Sequence, residues 1–215
     1  MNNKQRIEEG KELDDTYVND YKDSHKNRDL TYKLSYTSYY FIDSLLTNYS
    51  IADIGIGTGG VFKSLKNVKK LIGVDASQKM LDSSDELLKD TSYEKVFLQG
   101  YYNEDFILPE KVDVIVLGVY GSYFPLSSEI LEHTAKFLNK DGFLVVTLHT
   151  PDTLYKRIGV IIKMLMRKKP ITQYEFIFEQ YIPKNMEITV KIAKYPTTIN
   201  NPEKGIIYFL KKLDD

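Results

Sequence analysis

Cysteine is absent from the 215 residues of this chain. That excludes a disulfide framework, a thiolate metal site and a cysteine nucleophile. Net charge is nearly absent too. Lysine and arginine number 29 against 30 aspartates and glutamates, a balance of −1, so no overall field of either sign is available to draw in nucleic acid or an anionic membrane. Long apolar runs are also lacking. Ile158 to Met166 is interrupted by Lys163 and falls far short of the ~20 residues of a membrane-spanning helix, so no stable membrane insertion is expected. Met1 to Glu9 contains no apolar core of a secretion signal, and a cytoplasmic protein is therefore expected. Three histidines are present, and no His, Asp and Glu cluster has ligand spacing, so no metal site is expected. Apolar residues at 42% and charged residues at 27% describe a globular chain with enough material for one elaborated domain.

From position 49 the chain alternates between short apolar runs and polar, helix-capable stretches. Runs such as Ser50–Ile54, Lys70–Val74, Lys95–Leu98, Val112–Leu117 and Gly142–Leu148 are rich in β-branched residues, as strands of a parallel sheet buried on both faces are. Gly60–Asn67, Ser77–Lys89 and Ser127–Leu138 are long enough to be crossover helices, with Ser77 and Ser127 or Ser128 as N-caps. Asp141-Gly142 reads as the turn from the last of these into the next strand. The pattern predicts an α/β fold with a doubly wound, mostly parallel sheet over residues 49–215. Further strands are expected near Glu175–Tyr181, Glu187–Ala193 and Gly205–Leu210. Residues 1–48 precede the first strand as a tyrosine-rich helical extension. Its helix, Thr31–Leu46, is apolar on two sides, which calls for cover on both and suits an N-terminal lid.

The most informative stretch is Asp53-Ile54-Gly55-Ile56-Gly57-Thr58-Gly59-Gly60. A strand runs into four glycines and then a helix start, where glycine permits positive φ and close approach of a ligand to the backbone. The second strand ends in Asp75, 20 residues after Gly55. A carboxylate there can accept hydrogen bonds from a ribose diol. Gly55, Gly57 and Gly60 formally satisfy the dinucleotide pattern, so NAD binding is one reading. Asp53 speaks against it: a carboxylate two residues before the first glycine repels pyrophosphate and suits a cationic ligand. S-adenosylmethionine, with a sulfonium, an ammonium and no phosphate, meets that condition.

Asp53-Ile54-Gly55-Ile56-Gly57-Thr58-Gly59 resembles motif I of the class I, seven-stranded Rossmann-like S-adenosylmethionine-dependent methyltransferases. Gly73-Val74-Asp75-Ala76-Ser77-Gln78-Lys79-Met80 resembles their motif II, and Val112–Val116 and Leu138–Leu144 resemble the fourth strand and the turn into the fifth. The resemblance covers about residues 50–148. It implies a seven-stranded sheet with an antiparallel C-terminal strand, S-adenosylmethionine as cofactor and S-adenosylhomocysteine as product. It also implies that Asp53, Gly55, Gly57 and Gly59 face the methionine moiety, that Asp75 binds the ribose, and that Ala76 and Met80 border the adenine. Where the family often has an acid after the third strand, this chain has Tyr101. Gly118, at the end of the fourth strand, completes the expected cofactor set.

The acceptor should sit beyond the fourth strand, where Tyr120 and Tyr123 lie, roofed by Tyr36 and Tyr40 of the N-terminal helix. His149 follows the fifth strand and is the candidate general base, since imidazole titrates near neutrality. A charged or hydroxyl nucleophile would need one; a neutral nucleophile would not. Leu154–Lys169 is amphipathic and basic, fitting a solvated face, a membrane surface or a phosphorylated substrate. The expected activity is direct methyl transfer to a small-molecule acceptor such as a sugar, an amine or another metabolite, without nucleic acid. A non-catalytic binding or scaffold relative, an RNA or protein methyltransferase and a dehydrogenase are the alternatives. Nothing in the sequence fixes the oligomeric state.

Overall fold

The structure is a computed structural model, and it describes residues 30–118, 126–151, 178–194 and 203–213. Seven strands form one sheet: β1 (Tyr49–Ile54), β2 (Val68–Asp75), β3 (Glu94–Gln99), β4 (Val112–Leu117), β5 (Leu138–Pro151), β6 (Met186–Lys194) and β7 (Glu203–Lys212). Their order is β3-β2-β1-β4-β5-β7-β6. The first five run parallel, and β7 lies antiparallel between β5 and β6. Chain order reverses between β1 and β4, so a crevice for ligands opens at the carboxyl ends of these two strands.

Alternation along the strands feeds two cores. Ala52, Ile54, Ile115, Leu117, Leu144 and Val146 face the layer that contains α3 (Ser128–Ala135). Ile51, Val114, Val116 and Val145 face the opposite layer, built from α1 (Leu30–Leu45) and α2 (Gln78–Leu88). Ser77 caps α2, its hydroxyl accepting from Met80 N at 3.3 Å, and Ser127 caps α3 in the same way at 3.2 Å, as the sequence predicts.

Three local expectations are corrected. Gly60–Asn67 is no α-helix; it holds a 3₁₀ turn, Gly60–Ser64, because β2 already begins at Val68 and leaves no room for a longer crossover. Asp141 and Gly142 lie inside β5 rather than before it. Asp141 adopts φ 61°, and the β4–β5 register shifts between Val112 and Val114. A side chain on Gly142 would meet the carbonyls of Asn139 at 2.9 Å and Asp113 at 3.0 Å, so the irregularity admits only glycine there. The described end of Glu175–Tyr181 is a 3₁₀ turn, Glu179–Tyr181. Glu179 there accepts from Lys191 Nζ and the Tyr208 hydroxyl, both at 2.8 Å.

Helix α1 packs one face on the sheet. Tyr39 and Ile42 enter the core and Phe41 meets Phe209 edge-on at 4.9 Å, while Tyr40 is 50% and Leu45 60% exposed. Its end is pinned by Asp43, whose carboxylate accepts from Asn67 N at 2.9 Å, Lys66 N at 3.0 Å and the Tyr49 hydroxyl at 3.2 Å. The described part of the N-terminal extension is thus a packed layer on the sheet. Residues 1–29 and the basic stretch 154–169 lie outside the described residues.

Candidate functional site

Strand β1 delivers Asp53 and then breaks at the carboxyl edge of the sheet. Gly55, Gly57 and Gly59 take φ of 80°, 59° and 64°, a left-handed sequence that costs other residues about 1–2 kcal/mol apiece. The turn is tied to β2: Gly55 N and Ile56 N donate to the Val74 carbonyl at 2.8 and 3.1 Å. Its far side is held by α2, where the Ser84 hydroxyl donates to the Gly57 carbonyl at 2.8 Å.

Two glycines in this turn are small for different reasons. A Cβ on Gly59 would stand 3.0 Å from Ser84 Oγ and 3.3 Å from Leu88, so Gly59 lets α2 pack. A Cβ on Gly55 would meet nothing within 4 Å, and the same holds for Gly118. Ile54 pairs with Leu117, so Gly55 and Gly118 extend adjacent strands at one level. Together they form an open floor at the crevice.

Asp75 ends β2 beside this floor and is 7% exposed. Its Oδ2 accepts from Gly57 N at 2.9 Å and its Oδ1 from Ser77 N at 3.0 Å. Burial raises its pKa, and the N–H groups of Ser77, Gly57 and Ala76 pull it back down. These bonds fix the plane of the carboxylate and leave lone pairs for a ligand diol. Ala76 is half-buried, with its carbonyl accepting from Gln99 Nε2 at 3.2 Å. Met80 is buried in the first turn of α2. Gly100 N donates to the Asp75 carbonyl at 2.9 Å, which sets the half-buried Tyr101 next in the chain beside that acid.

Asp53 has a different environment. It is 4% exposed, and its Oδ1 accepts from the Tyr39 hydroxyl at 2.8 Å. Burial pushes its pKa up to about 7; the bond from Tyr39 opposes that rise and the Asp75 charge adds to it. Among the described residues, Oδ2 has no hydrogen-bond partner. Sequence reasoning missed Tyr39. A signal was available in its spacing of three from Ile42 on the buried face of the helix.

Tyr36 borders the last glycine of the turn, and Tyr40 reaches the 3₁₀ turn beyond it. A Cβ on Gly60 would lie 3.7 Å from the Tyr36 hydroxyl, and the Tyr40 hydroxyl is 2.9 Å from Ser64 Oγ on the outer surface of the 3₁₀ turn. His149 has its backbone in β5, paired with Gly205; its side chain is outside the described residues, as are Tyr120 and Tyr123. No group of three His, Cys, Asp or Glu among the described residues could hold a metal ion. No helix among them is long and apolar enough to cross a membrane. A cleft at the opposite end of the sheet, lined by Asn48, Asp113, Lys140 and Asp141 among others, has its acids already engaged: Asp113 accepts from Ser50 N and Oγ at 2.8 Å and from Asn139 Nδ2 at 2.7 Å, and the exposed Asp141 is paired with Lys211 Nζ at 2.7 Å.

Residues 51–142 match the family model of the methyltransferase domain. No curated protein sequence matches the chain. Among solved structures, the chain is similar to the N-methyltransferase NodS of Bradyrhizobium japonicum WM9 in complex with S-adenosyl-L-homocysteine. Identity is 13%, 87% of this chain and 90% of that one are covered, and the TM-score is 0.65. It is also similar to a SAM-dependent methyltransferase of Methanosarcina mazei, with 15% identity, 81% and 98% coverage and a TM-score of 0.57. The YcgJ protein of Bacillus subtilis gives 16% identity, 82% and 97% coverage and a TM-score of 0.57.

Proposed function

We propose that this chain, whose residues 51–142 match the family model of the methyltransferase domain, catalyses S-adenosylmethionine-dependent methyl transfer to a small-molecule acceptor by direct in-line displacement. The observation that carries this reading is the pair of acids around an open glycine floor. Asp75 presents a carboxylate fixed by Gly57 N and Ser77 N, and Asp53 presents an oxygen with no hydrogen-bond partner among the described residues, while Gly55 and Gly118 carry no side chain to fill the space beside them. A pyrophosphate would face the Asp53 carboxylate; an α-ammonium would be drawn to it.

S-adenosylmethionine, when bound, supplies a methyl group on a positively charged sulfur. The residues around it then have limited work to do. Asp75 accepts from the ribose hydroxyls, Ala76, Met80 and Tyr101 border the base, and the glycines admit the ligand to the backbone. Alignment of acceptor and methyl group with loss of water can lower the barrier by several kcal/mol, up to ~7–11, without a covalent intermediate. The acceptor would sit beyond β4, toward Tyr120 and Tyr123, which follow that strand in sequence, with Tyr36 and Tyr40 of α1 as the further candidates. His149 is the candidate base for an acceptor that must lose a proton. The net charge of −1 favours a small acceptor over nucleic acid.

The test is ligand-induced stabilisation. S-adenosylhomocysteine and S-adenosylmethionine should raise the melting temperature and NADH should not, because a ligand of the folded state stabilises it by mass action. A shift with NADH and none with either sulfur compound would overturn the reading.

A further inference from the structure

Resting on the cofactor reading above, we propose that Tyr39 is a positioning residue of the cofactor site: its hydroxyl holds the Asp53 carboxylate charged and aimed at the ligand's ammonium, so that cofactor binding is coupled both to α1 and to a proton. Three observations carry this. Tyr39 is 6% exposed and Asp53 4%, so their 2.8 Å bond is shielded from water. The bond uses Oδ1 and leaves Oδ2 without a hydrogen-bond partner among the described residues, an arrangement that orients the group and keeps one oxygen for a cation. Tyr39 is itself held in place, its ring packed edge-on against Phe62 of the 3₁₀ turn at 5.3 Å. That contact joins α1 to the segment that follows the glycines.

The groups acting on Asp53 are few. Tyr39 faces it from α1 and Asp75 from β2, and no described lysine, arginine or histidine acts on it. In register, its neighbours are Gly73 on β2 and Val116 on β4, neither of them titratable. With no cation acting on it among the described residues, a ligand ammonium is the natural partner of the ionised form. Below the pKa of about 7, that form must be generated by releasing a proton, and binding weakens accordingly. Tyr39 lowers this cost because a hydroxyl donating to a carboxylate favours the charged state.

Two probes separate the parts of the argument. S-adenosylhomocysteine carries the amino-acid ammonium; 5′-methylthioadenosine shares its nucleoside and lacks the amino acid. Titration of Asp75 acts on both through the ribose, so the ratio of the two affinities isolates Asp53. Calorimetry over about pH 5.5–8.5 should show this ratio falling by about tenfold per pH unit below neutrality in the wild-type protein. In Tyr39→Phe the midpoint should move up by about one pH unit, weakening S-adenosylhomocysteine by about five- to tenfold near pH 7. 5′-Methylthioadenosine should bind Tyr39→Phe as it binds the wild type, which also verifies the fold. In Asp53→Asn the ratio should be low and independent of pH. A ratio in Tyr39→Phe that superimposes on the wild-type curve overturns the role of Tyr39. Binding of neither compound to the wild-type protein overturns the cofactor reading and this inference with it.

Discussion

Replacing Asp53 by asparagine keeps the size of the side chain and an oxygen for the Tyr39 hydroxyl, and removes the charge. In the ligand-free protein that charge is unfavourable. Asp53 is 4% exposed, and burial, with the carboxylate of Asp75 nearby, pushes its pKa up to about 7 from an ordinary value of 3.8. A gap of about three pH units, at about 1.4 kcal/mol for each, makes ionisation cost the folded state about 4 kcal/mol. Unfolded Asp53 releases its proton near pH 3.8 and folded Asp53 near pH 7. Between those values the folded state binds more protons, so stability falls as pH rises. The contribution is fully present below about pH 3.8 and gone above about pH 7. Asparagine does not titrate.

Asp53→Asn should therefore match the wild type near pH 4 and exceed it increasingly up to neutrality. Above that the gain should be about 2–4 kcal/mol, the lower figure allowing for relaxation around the ionised group. Urea unfolding of both ligand-free proteins near pH 4.5, 6 and 8 reads the difference directly. A stability gap that stays constant across that range, or a variant less stable than wild type near pH 8, would refute the account of Asp53 as a buried acid ionised against burial. The same variant should lose affinity for S-adenosylhomocysteine, so stability and binding should move in opposite directions.

Asp75→Ala removes the proposed ribose acceptor and strands the N–H groups of Gly57 and Ser77. Affinity should fall about tenfold or more for S-adenosylhomocysteine and 5′-methylthioadenosine alike, and unfolding free energy by about 1–3 kcal/mol; calorimetry and urea unfolding check the two. Thr147 on β5 is 2% exposed, and its Oγ1 has no hydrogen-bond partner. Thr147→Val should raise unfolding free energy by about 1 kcal/mol, because removing an unpaired buried hydroxyl relieves its desolvation cost; a destabilised variant in urea would mean that the hydroxyl is paired in solution.

The parallel strands were legible because a sheet buried on both faces leaves continuous β-branched runs such as Val112–Leu117, and little else does. The glycine turn and Asp75 were legible because their geometry is local: a strand, a reversal and a fixed spacing to the next strand end. The bond from Tyr39 to Asp53 was not, since it joins residues 14 apart through the angle at which a helix crosses a sheet, and no sequence spacing encodes that angle. The 3₁₀ turn in place of a first crossover helix was hidden for a related reason. Gly60–Asn67 has helix-capable residues, and only the early start of β2 at Val68 removes the space for another turn. Phe178 to Tyr181 deceived by composition. Its apolar residues suggested a strand, but Phe178 is fully buried against Tyr208 at 4.9 Å, and Glu179 anchors the turn to β6 and β7.

The two acids of the site divide its work by how they are already bonded. Each oxygen of Asp75 receives a backbone N–H, so this carboxylate shapes the glycine turn before any ligand arrives and needs no further partner to remain in place. Asp53 has one bond, from a helix rather than from the turn, and an oxygen that the protein leaves unmatched. The first arrangement prepares a rigid cradle, which lowers the ordering cost of binding. The second leaves an acid whose buried charge is relieved by taking up a proton or by the entry of a cation. If that cation is the proposed ligand's ammonium, a pyrophosphate would meet the same charge and be repelled, so one carboxylate would serve both recruitment and discrimination.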